Sequence, residues 1–416
     1  MQTEGANRAK KRQLVKNTLY TIGGALVLNG ILQLLIYPRL NAELGAEQNG
    51  MVLYIMAFVN ILGPSVGQAM NNSRLVVRRE LPVTNGDYNL SIGIFSAVGI
   101  LVSLLLAGEA LNGVLSFGLA AAVMLLTIYR FYGDVEYRLS LDYRKYFIYY
   151  TFCGVGYALG YVFYRLTGQW MLIFVTGEAA ALLYVRFTGS IFRPFADRSE
   201  YFPVVVRRGL LLVISYLVTN VTLNIDRLYM KSALGGTAVT QYYVVSLIGK
   251  TLVLFIAPIN TIIISYLTKE NRRISRKQFF LFSGAGIVVS AVFFLLCQIG
   301  TPLFIRLFYP DLSESTAGLV TVVNLTQILA MLSAYLFIVV LTFTEEKWQL
   351  ILQVIHLIVL LILIVGMTPG AGLRGFAAAM LIANALRIGA VMILGTVCSG
   401  RKYAGEEKTR NRKQSC

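Results

Sequence analysis

The sequence predicts an all-α protein that crosses a membrane about twelve times. Three observations predict it: apolar stretches long enough to span a bilayer, very little charge within them, and basic residues whose density alternates from loop to loop. Hydrophobic residues make up 56% of the 416 and charged residues only 14%, against roughly 25% charged in soluble domains. A water-exposed surface cannot be built from so few charges, whereas a lipid-exposed surface needs almost none.

A helix needs about 20 residues to cross roughly 30 Å of hydrocarbon. Stretches of that order lie near 17–38, 50–70, 88–108, 112–132, 146–166, 169–188, 208–230, 240–267, 278–300, 316–343, 348–367 and 372–398. They read as helices because apolar runs this long do not alternate with a period of two, and because a helix satisfies its own backbone in lipid. The first span follows Arg8, Lys10, Lys11, Arg12 and Lys16. It is too long for a signal-peptide core and lacks a small-residue cleavage site, so it is expected to be retained. The third and fourth spans are joined by a very short turn, as are the fifth and sixth.

Loop charge gives the bundle a direction. With the N-terminus in the cytoplasm, the outside loops hold only Arg39, Arg165, Arg227, Lys231, Arg306 and Arg374 of the 37 Lys and Arg residues. Lys250 and Arg387 fall inside spans, and the remainder fall on cytoplasmic segments. Both termini are therefore expected in the cytoplasm of a bacterium, with the chain in its inner membrane. The formal net charge of +17 reads as this topological excess and not as a nucleic-acid footprint.

The longest gap, between Phe187 and Gly209, contains Arg193, Pro194, Asp197, Arg198 and Pro203. It reads as a cytoplasmic linker between two six-helix lobes. The expected organisation is a basic tail 1–16, an N-lobe 17–190, the linker 191–207, a C-lobe 208–398 and a second basic tail 399–416. The halves also echo each other: Leu44-Gly45 recurs 190 residues later as Leu234-Gly235. A basic residue precedes each pair, and each following helix carries a late proline, Pro64 or Pro258. Six plus six with the same sense in the membrane implies parallel repeats, a plan shared by many transporters.

Enzyme signatures are missing. The single histidine, His356, lies between Ile355 and Leu357 and has no sequence partner for a metal site or a triad. Gly249-Lys250-Thr251 mimics the end of a phosphate-binding loop, but position 244 is Val and the tripeptide lies inside a span. Cys153, Cys297, Cys398 and Cys416 have no metal-ligand or disulfide spacing. No catalytic residue, cofactor or metal is expected.

Charges and amides at membrane depth carry the functional signal. A charged side chain at the bilayer centre costs about 2.5–3.5 kcal/mol on insertion scales, so it normally faces a partner or a wet cavity. Lys250, Arg387 and Glu178 lie at such depth, with Arg227 and Arg39 towards the outer mouth and Asp226 nearby. More cation than anion favours an anionic cargo, and arginine matches phosphate or pyrophosphate bidentately. Glu178 is open to two readings: a coupling group, or a charge partner of Lys250 or Arg387. Asn29, Gln33, Asn60, Asn220, Asn224 and Asn260 form polar stripes in equivalent helices of the two halves, suited either to helix–helix hydrogen bonds or to sugar hydroxyls.

The segments Tyr37-Pro-Arg-Leu-Asn-Ala-Glu-Leu-Gly-Ala-Glu-Gln-Asn-Gly50 and Asn224-Ile-Asp-Arg-Leu-Tyr-Met-Lys-Ser-Ala-Leu-Gly-Gly236, the latter followed by Gln241-Tyr-Tyr243, carry a resemblance. With them the chain resembles the multidrug/oligosaccharidyl-lipid/polysaccharide flippase superfamily, in its polysaccharide (O-antigen-type) exporter branch. That resemblance implies two six-helix lobes around a central cavity. It also implies a monomer that flips a polyprenyl-pyrophosphate-linked oligosaccharide across the membrane by alternating access, with membrane lipid and possible H⁺ or Na⁺ as other partners. The peptidoglycan-precursor relatives have fourteen helices, and this chain has no room for two more. Two other readings stay open: a cation-coupled multidrug exporter of the same superfamily, and a membrane-embedded glycosyl polymerase or ligase.

Overall fold

The computed structural model describes residues 2–269, 275–341, 344 and 347–399. Among the described residues there are helices and no strands. Helix α1 (Gln2–Gly30) runs through a π-helical segment, Ile31–Ile36, into α2 (Tyr37–Leu62). Pro38 sits in the first turn of α2, where its missing N–H is no loss. A second π-helical segment, Gly63–Gln68, contains Pro64 and leads into α3 (Ala69–Val77); a proline removes one ladder bond, which the wider π turn accommodates.

Helix α4 (Asn85–Ala107) starts at a capping box in which Thr84 and Asp87 satisfy each other's backbone N–H. A single 3₁₀ turn, Gly108–Ala110, separates it from α5 (Gly113–Gly133), and the short α6 (Val135–Leu139) follows. Helix α7 (Tyr143–Thr167) is capped by Asp142 and closed by Gly168 in the left-handed region, after which α8 (Met171–Thr188) returns. Helices α9 (Phe202–Leu234) and α10 (Gly236–Lys269) meet at Gly235. A second capping box, Ser275 with Gln278, opens α11 (Arg276–Phe308). The remaining helices are α12 (Ser313–Thr316), α13 (Val320–Leu341) and α14 (Lys347–Cys398), the last broken at Gly372.

Eight stretches of the described residues are long and apolar enough to cross a membrane, judged by length and composition. Two of them, Lys16–Val77 at 62 residues and Ile351–Cys398 at 48, are each long enough for two crossings. They break at Gly45 and Gly372, where the backbone leaves helical geometry. Helices α7, with 25 residues, and α10, with 34, also have the length of a crossing, so the helices can accommodate the twelve crossings expected from the sequence. Helix α7 is less apolar because it carries seven tyrosines and three basic residues.

The chain folds as two compact units, Met1–Leu228 and Tyr229–Cys416. In the first, α7 and α8 pack on bare backbone. A Cβ on Gly156 would come within 2.7 Å of the Gly177 Cα, and one on Gly160 within 2.6 Å of the Ile173 Cα. Only glycine permits that approach. The interior of this unit is rich in tyrosine: Tyr88, Tyr132, Tyr137 and Tyr149 are fully buried. In the second unit α13 packs against α10, α11 and α14. Phe279, Leu336, Val340 and Val391 form one of its apolar clusters.

The linker after α8 is strapped onto the first unit and does not hang free. Glu136 accepts from the Ser190 and Ile191 N–H groups at 3.1 and 2.9 Å. Asp87 accepts from the Ser199 N–H at 2.8 Å and its hydroxyl at 2.7 Å. Asn85 and Asn89 donate to the Ser190 and Ile191 carbonyls at 3.0 and 3.2 Å, and Thr84 donates to the Asp197 carbonyl at 2.6 Å. Gly86 lies so close to the Asp197 backbone that a Cβ would overlap it at 1.9 Å. Helix α9 begins at Phe202, before the span start near 208 expected from the sequence, and it stays with the first unit as far as Leu228.

Candidate functional site

In the first unit, Glu178 of α8 is held by Arg130 of α5. The Arg130 Nε lies 2.5 Å from Glu178 Oε2, with the two side chains 7% and 3% exposed. The Tyr157 hydroxyl donates to the other carboxylate oxygen at 2.6 Å, and the Tyr149 hydroxyl donates to the Arg130 carbonyl at 2.9 Å. The guanidinium also lies over the Phe131 ring, 4.2 Å from its centroid. The loop-charge count treated Arg130 as a cytoplasmic charge; it is instead a buried residue inside α5 that neutralises Glu178. Both Glu178 partners named here belong to its own unit and come from neighbouring helices.

A second polar cluster, which the sequence did not single out, surrounds Asp134. Its carboxylate accepts from Asn71, by a short bond, and from the Tyr150 hydroxyl at 2.8 Å. Arg138 donates to the side-chain oxygens of Asn71 and Asn72 at 2.7 and 3.2 Å, and Asn72 donates to the Tyr216 hydroxyl at 2.6 Å. These bonds tie α9 to α3 within the first unit. Nearby, Arg74 donates to the Tyr132 hydroxyl and to Asn85 by short bonds and lies over the Tyr88 ring.

Arg39 is exposed and stands over the Tyr161 ring at 5.4 Å. Beside it, Glu43 accepts from Arg165 at 2.7 Å and from the Tyr161 hydroxyl. Arg227 is half-buried, within electrostatic reach of the buried Tyr37 hydroxyl. Asp226 is buried and accepts from the Arg227 backbone N–H at 2.9 Å.

The amides divide by partner. Asn29 donates to the Ala25 carbonyl at 2.8 Å and Asn224 to the Asn220 carbonyl at 2.9 Å, each within its own helix. Asn220 donates to the Tyr216 carbonyl at 2.7 Å and to Ser65 in the second π segment at 3.2 Å, which is a helix–helix tie. Gln33 and Asn60 are half-buried on the first π segment and on α2.

In the second unit Lys250 is half-buried on α10 and Arg387 half-buried on α14. The α13 helix packs against both of those helices. A Cβ on Gly249 would come within 2.5 Å of the Gln327 Cβ, so this glycine is there for close packing of α10 on α13. His356, buried, lies against the Ala383 backbone and within electrostatic reach of Arg387. Helices α10, α11, α13 and α14 contain no Asp or Glu. Pro258 and Asn260 lie outside the residues whose side chains the structure describes, as does the basic tail beyond Ser399.

No protein-family model matches the chain. No curated protein matches it in sequence. Solved structures do match it along nearly its whole length. The lipid II flippase MurJ, in an inward closed conformation, aligns with a TM-score of 0.67 at 14% identity, covering 91% of this chain and 87% of that one. A multidrug resistance MATE-family transporter of the MOP superfamily aligns in its inward-facing conformation with a TM-score of 0.60 at 14% identity, covering 92% and 94%. The outward-facing conformation of a MATE-family transporter aligns with 0.57 at 15% identity, covering 93% and 95%. The chain thus has the membrane-embedded, all-α fold that MATE transporters share with the lipid II flippase MurJ.

Proposed function

We propose that the chain is a flippase that moves a polyprenyl-pyrophosphate-linked oligosaccharide across a bacterial inner membrane. The observation that carries this reading is the placement of charge. The deep carboxylate Glu178 is occupied by Arg130 and Tyr157, while the spans of the second unit hold Lys250 and Arg387 and no acid. An interior of that sign suits a pyrophosphate better than an organic cation. In this reading Lys250 and Arg387 bind the pyrophosphate in a cavity between an N-lobe and a C-lobe, and Arg227 and Arg39 serve the outer mouth. Asn60 and Gln33 face the sugar, and H⁺ or Na⁺ supplies coupling. Rocking of one lobe against the other exposes the site to each side in turn.

The multidrug reading draws on the MATE neighbours, and Glu178 and Asp226 would be its acidic groups. The two readings separate in one experiment. In a deletion strain complemented with Lys250→Ala or Arg387→Ala, surface polysaccharide should be lost while the protein remains in the membrane. Normal polysaccharide from both variants, with protection against cationic dyes abolished by Glu178→Gln, would reverse the assignment.

A further inference from the structure

The second unit contains a recess of about 390 Å³ between α11 and the α12–α13 segment, within the size range of small-molecule sites, roughly 300–1,000 Å³. Gln298, Pro302 and Ile305 line one wall, and Ser313, Thr316 and Thr321 the other. Its position is unusual for a wall with this many polar groups, because the adjoining stripe of α11 is Leu295, Ile299 and Leu303, which are 63%, 72% and 65% exposed. Such a stripe faces acyl chains. Pro302 lies six residues before the end of α11, so the recess lies about 9 Å along the helix from its end, near headgroup depth.

The lining supplies acceptors. Proline has no N–H, so Pro302 deprives the Gln298 carbonyl, one turn earlier, of its helical donor. At the edge of hydrocarbon such a carbonyl is costly until something donates to it. The Gln298 side chain is directed to α13 instead: its amide donates to Thr321 at 3.1 Å and its oxygen accepts from Asn324 at 3.3 Å. Thr316 is likewise spent on the Leu312 carbonyl at 2.7 Å. Next to the lining in sequence, Asp311 and Glu314 flank Ser313 and Arg306 follows Ile305, and all three are exposed. Acceptors and carboxylates beside an arginine complement a zwitterion whose cation carries N–H donors and whose anion is a phosphate.

We propose that this recess binds the headgroup of a membrane phospholipid of the phosphatidylethanolamine class. Its ammonium meets the Gln298 carbonyl and the Asp311–Glu314 pair, its phosphate meets Arg306, and its chains run from there towards the bilayer centre along Ile299 and Leu295. The site is separate from the cargo reading and does not depend on it. Phosphatidylcholine has the same charges, no N–H donor and a bulkier cation, which makes it the discriminating probe.

The test is the unfolding temperature of the purified full chain in detergent, titrated with short-chain phosphatidylethanolamine or with phosphatidylcholine of the same chains. A saturable rise with phosphatidylethanolamine is expected, with phosphatidylcholine at least about tenfold weaker. Pro302→Ala restores the N–H, and the exposed pair Asp311→Asn with Glu314→Gln removes the carboxylate charge without touching the interior. Each should require about tenfold more phosphatidylethanolamine, and the carboxylate variant should unfold at the wild-type temperature when no lipid is added. Equal responses of the wild type to the two lipids, or an undiminished response in both variants, would overturn the proposal.

Discussion

Arg130 of α5 and Glu178 of α8, 48 positions apart, form a buried ion pair whose carboxylate is completed by Tyr157. Removing one member of such a pair leaves the other charge stranded, whereas replacing both with apolar groups of similar volume is often nearly neutral. Arg130→Ala or Glu178→Ala alone should cost about 3–5 kcal/mol, and Arg130→Met with Glu178→Leu should recover most of it. Thermal unfolding in detergent reads the difference. The double variant also separates bracing from coupling: transport that survives it rules out Glu178 as the coupling group.

The glycine seam between α7 and α8 has no room for a side chain. Gly160→Leu should lower stability by about 1–3 kcal/mol or block assembly, because the nearest atoms are backbone and cannot turn aside. A neighbouring change at Leu159, which is exposed, serves as the control and should leave the unfolding temperature unmoved.

At Gly45 the reasoning is about the backbone alone. Its φ of 78° and ψ of 165° lie in a region that side chains avoid, and a Cβ there would touch nothing. Gly45→Ala should therefore cost about 1–3 kcal/mol through strain. An equal melting temperature would show that the turn can relax.

Asp87 holds Ser199 by two bonds and caps α4 by a third. Asp87→Ala should destabilise the first unit by about 2 kcal/mol. Amide exchange at Ser199, Ile191 and Ser190 should separate the effects: faster at Ser199 and little changed at the two amides that Glu136 holds.

Much of the fold was legible because span length and apolarity are imposed by the bilayer and need no partner. The Leu-Gly echo was legible for a related reason: Gly45 and Gly235 both stand at positive φ, 78° and 85°, and only glycine adopts such a turn freely. The site was legible in parts. Glu178 stood out as an acid at depth, but Arg130 lies three residues from the end of α5, where loop-charge counting absorbs it. Asn224 and Asn29 looked like cavity residues, yet their bonds run to carbonyls one turn back, a choice that residue type does not reveal. The Asp134 cluster was hidden because its members come from α3, α7 and the segment around α6, and only packing unites them.

The strap across α4 has a practical consequence for anyone handling the protein. A long hydrophilic stretch between transmembrane helices is the usual place to insert a reporter or to nick a transporter into halves. Here residues 190–199 have their backbone groups engaged by Thr84, Asn85, Asp87, Asn89 and Glu136. An insertion there would be felt as a fault in the first unit's own structure, and proteases should find the stretch less open than its composition suggests.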